Sequence, residues 1–303
     1  MLLLWCTAAG AESESDKALF WQISRDDHEV GYLLGSIHSE DPRVLDFSTA
    51  FIGQLTSCQV FAMEMVPDLP TLARLTEYMH YPDSTTLEST LGAERYGKVM
   101  DALSAYQVPV DWKAKMKVWA VMMTLSVPPP ETGFFMDLSL SLRAAGAGLT
   151  VSGLETLDQQ LSFLEQMPMG FQLALLDQAL VEYQQVGEIN RQLVEAYLSG
   201  ELPAVSQISD EQFDQLDPDI RDYFLSHGID ERNQRMVDKL VSLLQGSRVF
   251  VAVGALHLPG PQGLLALLRA RGYSLKPLPL PFQPEFPSSG KQAGQDTNAG
   301  APG

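Results

Sequence analysis

Two copies of one short pattern hold the residues best suited to chemistry in this chain. The first is Gly35-Ser36-Ile37-His38, after Val30-Gly31-Tyr32-Leu33-Leu34, and the second is Gly254-Ala255-Leu256-His257, after Val249-Phe250-Val251-Ala252-Val253. Each is a β-prone apolar run, a glycine, two residues and a histidine. Such a run reads as a buried strand, and a histidine at its exit stands on the rim of the sheet, where open α/β sheets place their ligands. Two further runs end in carboxylates: Val60 to Met63 leads to Glu64, and Leu149 to Leu154 leads to Glu155. If the four strands end on one side, two imidazoles and two carboxylates converge. Imidazole suits Zn, Co or Fe, while carboxylate shifts the preference toward Mn or Mg. Acid–base chemistry is the other use of such a set. Gly35 and Gly254, lacking Cβ, let another group approach the backbone.

The elements that must position these residues can be read from periodicity. Residues 18–38 form a hairpin of two strands around Ser24-Arg25-Asp26-Asp27-His28-Glu29, and residues 46–57 form a helix. Pro67 ends the strand that begins at Gln59. A largely helical region runs from Leu69 to Leu125 and closes at Pro128-Pro129-Pro130. Met136 to Ala145 is helical, with Gly146 and Gly148 as stops. Residues 156–200 and 210–246 are helical, Arg248 to Val253 is a buried strand, and Pro261 to Arg271 is a helix before a strand at Tyr273-Ser274-Leu275. The expected fold is α/β: a central mixed β-sheet flanked by helices, with a large helical insertion. Residues 1–17 read as a signal-like N-terminus, 18–283 as the folded domain, and 284–303 as a Pro-, Gly-, Ser-, Gln- and Asn-rich disordered tail.

Bulk properties narrow the function. The 303 residues suffice for a sizeable core, and 45% hydrophobic with 19% charged residues is globular composition. A net charge of −18 without a Lys/Arg block excludes nucleic acid as a partner. Two cysteines define no disulfide framework. Ala9-Gly10-Ala11 fits a signal cleavage site, although the apolar run before it is short and has no basic residues; the chain is expected in the periplasm or secreted. No stretch approaches the ~20 apolar residues of a membrane span. His-Glu-x-x-His, Cys-x-x-Cys, Gly-x-Ser-x-Gly and P-loop patterns do not occur. Glu64, between Met63 and Met65, either points to solvent or has a cationic partner, since burying a lone carboxylate is costly. Glu155 is a site residue or the cap of the next helix. His28, His80 and His227 read as solvated, and Met116, Met122 and Met123 as core.

Taken together, Tyr32 to His38, Met63-Glu64, Ser152-Gly153-Leu154-Glu155-Thr156, Arg232-Asn233 and Val249 to Gly260 resemble the TraB/GumN family, which includes the TIKI proteins. The resemblance covers roughly residues 20–279 and implies metal-dependent hydrolysis. TIKI members are extracellular peptidases that depend on Mn or Co, with two histidines and a glutamate in the active site. Carried over, His38 and His257 become metal ligands and Glu64 a ligand or general base, with Zn as an alternative metal. Arg232 and Asn233 match family positions, Arg232 pairing with Glu64 or a substrate carboxylate, and Glu155 completes the catalytic set. Asp137 falls near a family aspartate, with Gly133 farther ahead of it than the family has. The implied substrate is a peptide or other small molecule. The alternative is a non-catalytic periplasmic or surface protein that sequesters such a ligand.

Overall fold

The computed structural model describes residues 16–106 and 108–282. The signal-like segment up to residue 15 and the polar tail lie outside the described residues. Six strands form one mixed sheet in the order β4-β3-β5-β2-β1-β6. They are β1 (Phe20–Arg25), β2 (His28–Ser36), β3 (Val60–Met63), β4 (Thr150–Gly153), β5 (Val249–Gly254) and β6 (Ser274–Leu278). The expected α/β architecture with helical insertions is what the chain adopts.

The hairpin forms because Asp26 and Asp27, with φ of 50° and 62°, build a tight two-residue turn. Aspartate tolerates that left-handed conformation better than most residues. β5 runs between β3 and β2, parallel to both, and β4 extends the parallel set beyond β3. Its residues Val249 to Val253 are all buried, as a strand covered on both faces requires. β1 is antiparallel to β2 and to β6. The carboxyl ends of β2, β3, β4 and β5 therefore share one side of the sheet. These are the four strands expected to deliver His38, Glu64, Glu155 and His257.

The helices form two groups. One packs on the sheet around Phe20, Phe51, Phe61 and Phe250, with Phe51 edge-on to Phe250 at 5.3 Å between ring centres. The other combines the helical insertion after β3 with helices that follow β4 and has its own core, including Leu87, Leu103, Trp119, Leu161 and Leu176. Met116 and Met122 are buried there, as expected, whereas Met123 is exposed. Among the described residues no helix is long and apolar enough to cross a membrane.

Candidate active site

The two histidine motifs meet because β2 and β5 are neighbours, with Ser36 opposite Gly254. A Cβ on Gly35 would lie 2.7 Å from Leu258 Cδ1 and 3.1 Å from Ala255 Cα, so glycine lets the second motif's turn settle on the end of β2. The Gly35 carbonyl accepts a 2.6 Å hydrogen bond from the buried Tyr197 hydroxyl. At Gly254, a Cβ would stand 3.3 Å from Glu64 Oε1. Its absence leaves room for that oxygen to accept the Gly254 N–H at 2.8 Å.

Glu64 has the cationic partner its sequence context demands. Oε2 accepts from Arg232 Nη2 at 2.6 Å and from Gln160 Nε2 at 3.2 Å. Arg232 also donates through Nε to Glu155 Oε2 at 2.8 Å, so one buried guanidinium bridges two carboxylates. The Glu155 side chain is 0% exposed and also meets Arg235 at 3.4 Å. Thr156, not Glu155, caps the following helix, in a reciprocal arrangement with Gln159. Asn233 is fully buried; its Nδ2 donates to the Gln262 carbonyl at 2.8 Å and its Oδ1 lies 2.7 Å from His257 Nδ1. Because Oδ1 accepts, Nδ1 of His257 carries the proton and Nε2 keeps its lone pair. That lone pair lies 3.7 Å from Glu64 Oε1. Arg232 and Asn233 reach the cleft from the first turn of the helix Glu231–Leu244, just after a π-helical stretch over Phe224–Asp230. Wider turns of this kind recur at functional sites. Both residues are buried, so neither is an ordinary exposed helix start.

Charge follows from these contacts. Burial opposes ionisation of Glu64, but proximity to His257 and Arg232 and the Gly254 N–H outweigh it and hold the carboxyl at about 2. Burial lowers the His257 imidazole to about 4, so at neutral pH it is an uncharged base. Arg232 loses favourable hydration, and its two carboxylate partners more than compensate, raising its pKa.

His38 is placed differently. Its side chain is 60% exposed, stacks on Phe135 at 3.8 Å between ring centres, and has Nδ1 4.0 Å from Asp137 Oδ2. Asp137 accepts from the Ser36 hydroxyl at 2.5 Å. Burial raises its carboxyl to about 6, with Ser36 opposing and Glu64 adding to the rise. His38, Asp137, Glu64 and Gly254 border one cavity. The structure thus joins Glu64, Glu155, Arg232, Asn233 and His257 in one contact network and sets His38 across the same cleft with Asp137. Gln160, Phe135 and Ser36 enter the site without having been singled out; only Ser36, inside the first motif, carried a sequence signal. His80 is not solvated as expected: it is half-buried, edge-on to Trp112, with Nδ1 2.5 Å from the Thr76 carbonyl.

A profile of the TraB/PrgY/gumN family matches residues 19–277. The chain belongs to this family. It is 24% identical to Metalloprotease TIKI1 of Danio rerio over 317 residues, covering 86% of this chain and 63% of that protein. Against Metalloprotease TIKI2 of Xenopus tropicalis it is 25% identical over 325 residues, 88% of this chain and 61% of the relative. Against the Metalloprotease TIKI homolog of Nematostella vectensis the identity is 21% over 315 residues, 86% and 66% of the two chains. The chain spans a little over 60% of the length of the first two. No solved structure matches it significantly.

The names of these relatives imply a metal, and this family member's donors fit one in their chemistry. His257 offers a free Nε2 lone pair held by Asn233, the outer-shell device that orients metal-binding imidazoles. Its 3.7 Å spacing from Glu64 Oε1 is close to the roughly 3.3 Å between two ligands of one tetrahedral ion. His38 and Asp137 form a second such pair, 4.0 Å apart. As arranged, no three His, Cys, Asp or Glu side chains among the described residues are grouped to hold an ion.

Proposed function

We propose that this chain is a metal-dependent hydrolase acting on peptides, working in the periplasm or outside the cell. The observation that carries the reading is an uncharged His257 lone pair beside an ionised Glu64, at the carboxyl ends of parallel strands and next to a cleft that His38 borders. The metalloprotease names of the relatives support it. His38 and His257, with Glu64, would hold the ion; two imidazoles and a carboxylate accept Zn, Co or Mn, and the TIKI resemblance makes Mn or Co the first expectation. A bound divalent cation would supply Lewis acidity, polarising the scissile carbonyl and acidifying water. His38, 60% exposed and stacked on Phe135, would have to leave that ring to complete the set.

The chain's own residues supply the rest. Glu64, ionised at neutral pH, would serve as metal ligand or as general base through Oε1, the oxygen that Arg232 and Gln160 leave to the Gly254 N–H. Arg232 stays cationic and fixes the carboxylate plane, and Glu155 holds Arg232 from behind. Asn233 keeps His257 in the tautomer that presents Nε2.

One observation favours a second reading. Both Glu64 oxygens already have partners, and no ligand trio is assembled among the described residues, which is what a non-catalytic protein sequestering a peptide in this cleft would also have. Chelator-stripped protein reloaded with Mn, Co or Zn and assayed on a peptide library separates the two. The hydrolase reading predicts turnover that vanishes on stripping and returns with metal; peptide binding without metal-dependent turnover would overturn it.

A further inference from the structure

The cavity beside Glu64 is larger than proton transfer needs, and most of its wall is apolar. It encloses about 590 Å³, within the range of ligand sites. Met65, Pro67, Leu72, Leu75, Phe135 and Leu138 line it next to the polar groups of the site. The helix Leu69–Tyr78, which supplies Leu72 and Leu75, has no fully buried residue, and Leu72 is 42% exposed. Leu72 lies outside both cores, while Leu75 and Met65 are only partly buried against the second one. No lysine or arginine among the described residues lines the cavity, and Arg232 is buried between Glu64 and Glu155. The wall is also preformed. Glu40 accepts the N–H groups of Glu131, Thr132 and Gly133 at 3.2, 2.7 and 2.9 Å, and the Thr132 hydroxyl at 2.9 Å. That carboxylate pins the loop that delivers Phe135 onto the His38 ring.

We propose that this cavity is the subsite for an apolar side chain of the substrate peptide, of the leucine, methionine or phenylalanine class, and that it rejects acidic side chains. An apolar group gains by leaving water. In the metal-free cleft, a carboxylate entering the apolar part of this space would lose its hydration beside Glu64 and Asp137, with no lysine or arginine among the described lining residues to receive it. This deepens the hydrolase reading and rests on it only for what happens to the bound peptide.

Binding can be read apart from turnover. Fluorescein-labelled Gly-Gly-Ser-X-Ser-Gly-Gly peptides, with X as Leu, Phe, Ser or Glu, are titrated into chelator-treated full-length protein and followed by anisotropy. The Leu and Phe peptides are expected to bind at least ~10-fold tighter than the Glu peptide. Leu72→Asp, at a half-exposed position, should abolish that preference, and the milder Leu75→Ser should reduce it. Equal affinity for the Leu and Glu peptides, no binding of the Leu and Phe peptides at ~1 mM, or an unchanged preference in both variants would overturn the subsite. A preference in protein that hydrolyses no peptide with Mn would refute the hydrolase and leave the subsite standing. Turnover without preference would do the reverse.

Discussion

Arg232 concentrates the electrostatics of the site. Its guanidinium is the shared partner of Glu64 and of a Glu155 side chain that is 0% exposed. Removing one member of a buried ion pair leaves the other charge without hydration or partner and costs about 3–5 kcal/mol. Arg232→Ala should therefore lower stability by that order in urea unfolding. Arg232→Lys should recover only part, because an ammonium cannot bridge two carboxylates with a planar fork. A loss under 1 kcal/mol would mean the contacts are not maintained. Asp137 gives the pH test. Its carboxyl is raised to about 6 in the folded protein, above the ordinary ~3.9, so the folded state binds the extra proton between those values. The stability it contributes is present below the unfolded pKa and lost as pH rises through about 6. In metal-free protein, Asp137→Asn should raise the Tm relative to wild type at pH 8 and lose that advantage near pH 4. A difference that does not change with pH would show that Asp137 titrates normally.

Among the elements, what was legible followed from patterns local to a strand. An unbroken apolar run marks β5 as covered on both faces, and the same glycine-to-histidine spacing after β2 and β5 points to neighbouring parallel strands. Glu64 in an apolar setting demanded a cation, and Arg232 supplies it. What was not legible depends on contacts no local pattern encodes. Glu40 pins a loop more than ninety positions away, and Asp137 reaches Ser36 across a separation of 101. Glu155 and Thr156 are both plausible helix caps by type, so only packing could assign the cap to Thr156 and send Glu155 to Arg232. The close approach at Gly35 gives the strand-level prediction. Gly35→Val should collide with Ala255 and Leu258 and destabilise by about 1–3 kcal/mol, as overpacking does. It should also weaken metal binding, because it pushes the two motifs apart. Unchanged stability would show that the turn after β5 can shift freely.

Over the whole molecule, the sheet-based core and the separate helical core have distinct tasks. The sheet brings four strand ends to one side, and the stretch between β3 and the helix Met136–Gly146 contributes Leu72, Leu75 and Phe135 to the cleft wall. The family match spans both parts. The central claim is that Glu64 is the ligand or base of a metal-dependent site shared by the two histidine motifs. The measurement that tests it most directly is peptide turnover by Mn-loaded Glu64→Gln protein beside wild type, with bound metal and Tm recorded on the same samples. Glutamine keeps the shape, its single oxygen can accept from Arg232 or from Gly254 but not from both, and it cannot take a proton. Turnover should fall at least ~100-fold while the fold survives; turnover at the wild-type rate with metal bound would contradict the role given to Glu64.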